Sequence, residues 1–305
     1  MKTIKVAAAA AAVSMLCACG GGGGGGGIRE VPFTSFPASP NQTVVMTGIS
    51  ETISGTNTGG GTGVVTINTN STLDTANSTA RLTFDANGNM SRIAVSSPSS
   101  SVSLAPVDCG TAPTCAASNA NNLVVAINPA VAPPFFGGWH YQTYGVWLSQ
   151  TGPSTFTAGA MSAGAVTPGN AVPTTGGAVF SGLATGFYVD TGGVSFATAA
   201  QMSANVTFSA TAPSIAFTTF GTTTNALDGI SGSGPNPSLD LTGTLTYTPG
   251  SSQFNGQVNS AGGLSGDANG RFYGPAAQEI GGVYSLRRLT GGLERMLGAF
   301  GGRQP

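Results

Sequence analysis

Short β-branched runs, separated by Gly, Pro, Asn and Asp, recur from Thr43 to Leu286, and no helix-length run interrupts them. That spacing restricts the chain to an all-β architecture, because each run has the length and side-chain type of a strand and each gap has the chemistry of a turn. Thr43–Ile49, Gly63–Asn68, Ala80–Asp85, Met90–Val95 and Leu123–Ile127 make a first block, which ends at Pro129, Pro133 and Pro134. Asn87-Gly88 within it is a hairpin signal. A second block opens near Gly138 with Tyr141–Leu148. It continues through Ala178–Val189, Ala199–Phe208, Ser214–Thr219, Ser238–Tyr247, Gln253–Asn259, Gly270–Phe272 and Val283–Leu286. Even spacing of this kind predicts an eight-stranded antiparallel β-barrel of up-and-down order, which removes exposed sheet edges. Gly145, Gly182, Gly186, Gly243 and Gly256 inside the strands suit the tight bending of a small barrel.

Composition narrows the function classes. Of 305 residues, 48 are Gly, 7% are charged and 40% are hydrophobic, so a real core is available but charge-driven disorder is not. Both lysines, Lys2 and Lys5, lie near the N-terminus, and the remainder carries eight arginines and eleven acids, a net charge of −3. A lysine-free, mildly acidic surface does not bind phosphate polymers, so nucleic acid is excluded as a partner. Four arginines, Arg287, Arg288, Arg295 and Arg303, fall in the last nineteen residues. One histidine, no G-x-S-x-G elbow and no paired-carboxylate motif leave no catalytic set, so the chain is read as a non-enzyme without catalytic residues, metal ligands or cofactor. Asp85, Asn87 and Asn89 have the opening spacing of a calcium loop, but Met90 stands where glycine is required and Ser96 where glutamate is required.

Met1–Ala18 reads as an export signal: a basic start, then the apolar stretch Val6–Leu16, too short to span a bilayer. Leu16-Cys17-Ala18-Cys19 resembles a bacterial lipobox, which implies that Cys19 becomes the lipidated N-terminus and carries palmitate. Two or more acyl chains give stable anchoring, at about 0.8 kcal/mol per buried methylene. Gly20 follows, in place of the aspartate of inner-membrane retention, so the resemblance implies a lipid anchor in the outer membrane, at the cell surface. Gly20–Gly27 is an unbroken glycine run that, with the proline-studded Val31–Pro40, makes residues 19–40 a Gly/Pro-rich leash. Cys109 and Cys115 are then the remaining thiols. In an exported chain a Cys109–Cys115 disulfide is expected, and closing its seven-residue loop stabilises by about 2 kcal/mol.

Three motifs of the second block resemble the barrel of the transferrin-binding protein B family of surface lipoproteins. Tyr141-Gln-Thr-Tyr144-Gly145-Val-Trp147 is similar to the family's first barrel strand, and Gly177-Ala178-Val-Phe180-Ser-Gly182 to a later one. The most specific is Gly270-Arg-Phe272-Tyr273-Gly274-Pro275-Ala276-Ala277-Gln-Glu279-Ile280-Gly281-Gly282-Val-Tyr284, which resembles the family's "G-x-F-Y-G-P-x-A-x-E-x-G-G" signature. The resemblance implies one lobe: a smaller strand-rich handle over 41–135, a β-barrel over 138–286 and a C-terminal tail over 287–305. Full members have two such lobes, and the transferrin-capturing loops of the family have no counterpart here. The signature reads as structural. Phe272 and Tyr273 point to opposite faces, Gly274-Pro275 ends the strand, and Pro275 starts one helical turn. Glu279 bonds back to exposed amides, and Gly281-Gly282 lets the last strand pass close to its neighbour.

The expected function is a non-enzymatic outer-membrane lipoprotein that binds a host or environmental protein or solute in iron acquisition and passes it to an outer-membrane receptor. The long loops Thr151–Thr175 and Gly221–Pro237 are its candidate contact surfaces. Haem binding through His140, beside Trp139 and Tyr141, is the alternative, followed by a structural or adhesive role. An enzyme and a true transmembrane barrel rank below these. Leu289, Leu293, Met296, Leu297 and Phe300 have helical spacing, but five glycines among them predict a frayed or loosely docked tail.

Overall fold

The computed structural model describes residues 28–36, 38–58, 64–68, 70–109, 114–127, 139–228 and 232–305. The export signal, Cys19, the glycine run and the prolines of 129–134 lie outside these residues. Among the described residues, two short 3₁₀ turns, Gly169–Ala171 and Pro237–Leu239, interrupt an otherwise all-β fold.

The first sheet holds β1 (Arg29–Pro32), β2 (Gln42–Thr58), β3 (Val64–Ile67), β4 (Thr72–Phe84), β5 (Met90–Ser97), β6 (Ser100–Leu104), β7 (Thr114–Ser118), β8 (Asn122–Ile127), β9 (Gln142–Gln150) and β10 (Thr155–Gly164). Its order is β6-β5-β4-β2-β10-β9-β8-β7, with β1 and β3 also paired to β2. The sheet curls until its two edges nearly meet, and the Trp147 indole on β9 donates to Ser100 Oγ on β6 at 3.3 Å. Inside lies an apolar core that includes Met46, Leu82, Phe84, Ile93, Val124 and Trp147.

The second sheet is the barrel: β11 (Gly177–Val189), β12 (Ser195–Thr207), β13 (Ser214–Ala226), β15 (Leu241–Tyr247), β16 (Gln253–Ser260), β17 (Leu264–Tyr273), β18 (Glu279–Arg288) and β19 (Arg295–Arg303). Each strand pairs antiparallel with the next, β19 returns to β11, and the barrel is closed with up-and-down order. The two-residue β14 (Gly234–Pro235) flanks β13. Phe272 is the hub of the interior, with the rings of Tyr247, Phe254, Phe208 and Phe180 at 5.2, 5.4, 6.0 and 6.4 Å. The outer positions of β15 and β16, Thr242, Thr244, Thr246, Gln253, Asn255, Gln257 and Asn259, are exposed and polar. A lipid-embedded barrel has the opposite arrangement, apolar outside.

The sheets divide the chain differently from the expected 41–135, 138–286 and 287–305. Tyr141–Trp147 does not begin the barrel. From Gln142 on it lies in β9, between β8 and β10 of the first sheet. The strand is buried on both faces, with Trp147 turned into the first core and Tyr144 and Val146 turned onto the barrel. Alternation identifies such a strand but not the sheet that it joins. The expected loop Thr151–Thr175 contains β10, whose Ala, Gly and Ser residues are buried almost throughout. The expected tail is β19. Met296 and Phe300 point into the barrel while Leu297 and Ala299 face the handle, so double burial erases the strand alternation. Part of the leash is also structured: β1 pairs parallel with β2, and Phe36 is buried in the first core.

The two sheets pack face to face. Ile49, Ile53, Trp139, Tyr144, Val146 and Ala160 of the handle meet Phe187, Val283, Leu297 and Ala299 of the barrel in a third apolar cluster.

Candidate functional site at the handle–barrel seam

The signature residues converge on this seam. Phe272 points into the barrel and Tyr273 points out of it, where its hydroxyl meets Ser162 Oγ of β10 at 2.9 Å. After β17 the chain makes a turn over 274–277, with positive φ at Gly274 (88°) and Ala277 (59°), in place of the expected helical turn. Thr167 donates from Oγ1 to the Gly274 carbonyl at 2.6 Å, and the Gly274 amide donates to the Ala165 carbonyl at 2.8 Å. The turn is thereby pinned to the chain leaving β10.

Glu279, first residue of β18, is buried, and its carboxylate crosses the seam rather than closing its own turn. Oε1 accepts the His140 amide at 2.7 Å and Oε2 accepts the Tyr141 amide at 3.2 Å. Burial pushes this carboxyl up to about 7 against the pull of those two amides and of Arg303. Gln142 works in the opposite direction: its Nε2 donates to the carbonyls of Ile280 and Gly302 at 2.9 and 3.3 Å. Two polar side chains, one from each sheet, thus satisfy backbone groups of the other, as buried polar groups require.

The paired glycines have separate reasons. A Cβ at Gly281 would stand 2.0 Å from Gln142 Oε1 and 2.6 Å from Ser162 Oγ, so glycine here admits the handle. A Cβ at Gly282 would stand 2.3 Å from the Asn269 carbonyl and 2.6 Å from the Phe300 ring, so glycine here admits neighbouring barrel groups. The close strand passage expected of the pair applies to Gly282, whereas Gly281 serves the seam.

Other residues singled out in the sequence lie apart from this lock. Cys109 is joined by a disulfide to Cys115 in β7. His140 gives its backbone to the seam, but its ring is exposed, edge-on to Tyr141 at 6.0 Å. Gly145 and Trp147 belong to β9. In the expected loop Gly221–Pro237, β13 runs on to Ala226 and β14 follows, while residues 229–231 lie outside the described ones. Arg288 and Glu294 form an ion pair at the β18–β19 hairpin, where Tyr188 also donates to Glu294 at 3.0 Å.

Gln142, Ser162 and Thr167 belong to the lock but carried no sequence signal, since nothing local sets them apart from other polar residues of a Ser/Thr-rich chain. Glu51 was missed in the same way. It sits on β2 between Ile49 and Ile53, 5% exposed, with Oε2 buried and lacking a hydrogen-bond partner. Burial pushes its carboxyl up to about 7, Asp267 of the barrel pushes it further in that direction, and the Ser71 hydroxyl opposes both.

Residues 172–304 match the family model for the C-lobe and N-lobe β-barrels of Tf-binding protein B. The match spans the barrel defined by the sheet. No curated protein matches the chain in sequence. Among solved structures, a transferrin binding protein B mutant from Haemophilus parasuis Hp5 is 14% identical with TM-score 0.45, covering 76% of this chain and 52% of that one. Transferrin binding protein B from serogroup B Neisseria meningitidis is 16% identical with TM-score 0.45, covering 84% of this chain and 43% of that one. A structure described as a surface lipoprotein is 9% identical with TM-score 0.41, covering 84% and 98%. This chain therefore spans about half of the first protein's length, or less of the second's. Residues 172–304 thus match the β-barrel of Tf-binding protein B, and with the first sheet packed on this barrel the chain resembles a transferrin-binding-protein-B-like lobe.

Proposed function

We propose that this chain is a lipid-anchored surface protein of the outer membrane that binds a host or environmental protein or solute in iron acquisition, without catalysis. The family match of the barrel carries the reading, because Tf-binding protein B is named for the protein that it binds. The lipobox-like Cys19 would supply the anchor, and the glycine run would supply reach of about 16 Å root-mean-square. A barrel whose interior is filled by aromatic rings and whose outer face is polar at β15 and β16, away from the seam, supports a water-facing binding module. The exposed strand ends and loops of both sheets are its candidate contact surfaces, with an outer-membrane receptor as the onward partner.

Three experiments test this. Protease shaving of intact cells should release the folded body, and Cys19→Ala should abolish metabolic palmitate labelling. Retention of the body by cells, or labelling that persists in the variant, refutes the anchor. Pull-down from host fluid should retain an iron carrier or a defined solute, while retention of neither favours a structural or adhesive role.

A further inference from the structure

Two compartments adjoin along the seam, eight residues up β18 from the Glu279 lock, or about 26 Å at strand rise. Both are lined by Ile53. One, of about 120 Å³, is apolar, with Ile67 and Leu148 of the handle facing Phe187, Val189 and Leu227 of the barrel side. An apolar cavity of about 150 Å³ takes benzene, so this one suits a single ring or a short alkyl group. It is too small for a porphyrin, and its lining includes no His, Cys, Met or Tyr to hold iron. Asn57 lines it with a buried Oδ1 that has no donor.

The other compartment, of about 180 Å³, is polar and lies between Asn70 and Ser71 of the handle and Ser265, Ser285, Arg287 and Arg295 of the barrel. Arg287 and Arg295 stand directly opposite one another on β18 and β19, and Val189 of the apolar wall stands opposite Arg295 on β11. Like charges opposite one another in a sheet repel. No ion pair relieves these two among the described residues, where the pairs are Arg81–Glu30 and Arg288–Glu294. Arg287 donates to Asn70 Oδ1 at 3.0 Å, and Arg295 donates to the Glu294 carbonyl at 2.8 Å. These acceptors are neutral, and Asp267 is the one carboxylate among the residues lining the compartment, against two guanidinium groups. An apolar slot that shares Ile53 with a compartment holding an excess of arginine is complementary to a molecule with one apolar end and one carboxylate, which guanidinium groups bind in a bidentate manner.

We propose that this cleft binds a small amphiphilic carboxylate, an aryl or short alkyl acid, with its apolar end against Ile53, Phe187 and Val189 and its carboxylate between Arg287 and Arg295. A hydroxyl on the apolar end would supply the donor that Asn57 Oδ1 lacks. Asp267 lines the polar compartment from β17 and is exposed, so it works against the anion. The proposal is independent of the lipid anchor and of any protein partner.

Calorimetric titration of the full chain with phenylacetate tests it. Saturable binding is expected below about 10 mM, with phenylacetamide, its neutral analogue, at least about tenfold weaker. Arg287→Gln/Arg295→Gln should weaken phenylacetate at least tenfold and leave phenylacetamide unchanged, while Asp267→Asn should tighten phenylacetate. Ala158→Met, which fills the apolar compartment from β10, should abolish both. No saturation of the wild type, as when the chain itself fills the slot, overturns the proposal. Equal affinity for acid and amide, or undiminished binding in the arginine double variant, overturns it as well.

Discussion

Glu51→Gln should make the protein more stable above pH 7 and leave it unchanged near pH 4.5. The carboxyl is 5% exposed beneath the barrel, and one oxygen lacks a partner. Taking a charge out of water without an ion-pair partner penalises the ionised form, which is why the group titrates at about 7 rather than 4.5. The folded state therefore keeps a proton that the unfolded chain has released between those two values. Stability falls as pH rises through that window and levels off above it. The difference corresponds to about 3 kcal/mol once both states are ionised. Glutamine has the same shape, carries no charge, and still offers a carbonyl to Ser71. Glu279 has the same raised titration, so the variant should retain part of the slope. Asp74 and Glu294 are lowered instead, and their contribution is lost only as pH falls below the usual carboxylate range. Urea unfolding of both proteins at pH 4.5, 5.5, 6.5 and 8 isolates Glu51 as the difference between two curves. The gain should grow from near zero to about 2–3 kcal/mol. A gain that is independent of pH, or a glutamine variant less stable at pH 8, refutes the reasoning.

Further outcomes follow from the seam and the two cores. Gly281→Ala should cost about 1–3 kcal/mol, read by urea unfolding, because its Cβ would enter the space of Gln142 and Ser162; stability equal to wild type would show that the handle yields there. Phe272→Ala should cost about 3–5 kcal/mol by removing the ring at the centre of the barrel interior, and a loss under 1 kcal/mol would show that the neighbouring rings collapse into the gap. Cys109→Ser/Cys115→Ser should cost about 2 kcal/mol, with faster hydrogen exchange confined to β7 and β8; an equal rise throughout the barrel would contradict a local role.

Much of the strand content was legible because one face of each outer strand meets water. β15 and β16 alternate Leu, Tyr, Phe and Val with Thr, Gln and Asn, and that period of two can be read without any knowledge of partners. The F-Y-G-P turn and its glutamate were also legible as a structural unit, though not the direction in which the glutamate reaches. By contrast, β10 and β19 were hidden. Both lie between the handle and the barrel, so their two faces are equally apolar or equally small, and no alternation survives.

The sequence by itself determined an all-β chain with seven of the barrel's eight strands and a short disulfide loop, since turn chemistry and period-two burial are local properties. Tertiary structure decided which strands belong to which sheet, that Glu279 and Gln142 each bond to backbone groups of the opposite sheet, and that Arg287, Arg295 and Ile53 border one cleft. Arg287 and Ile53 are more than 200 residues apart in the chain. Only the packing of two closed or nearly closed sheets, driven by the apolar surface that each would otherwise expose, brings such groups together.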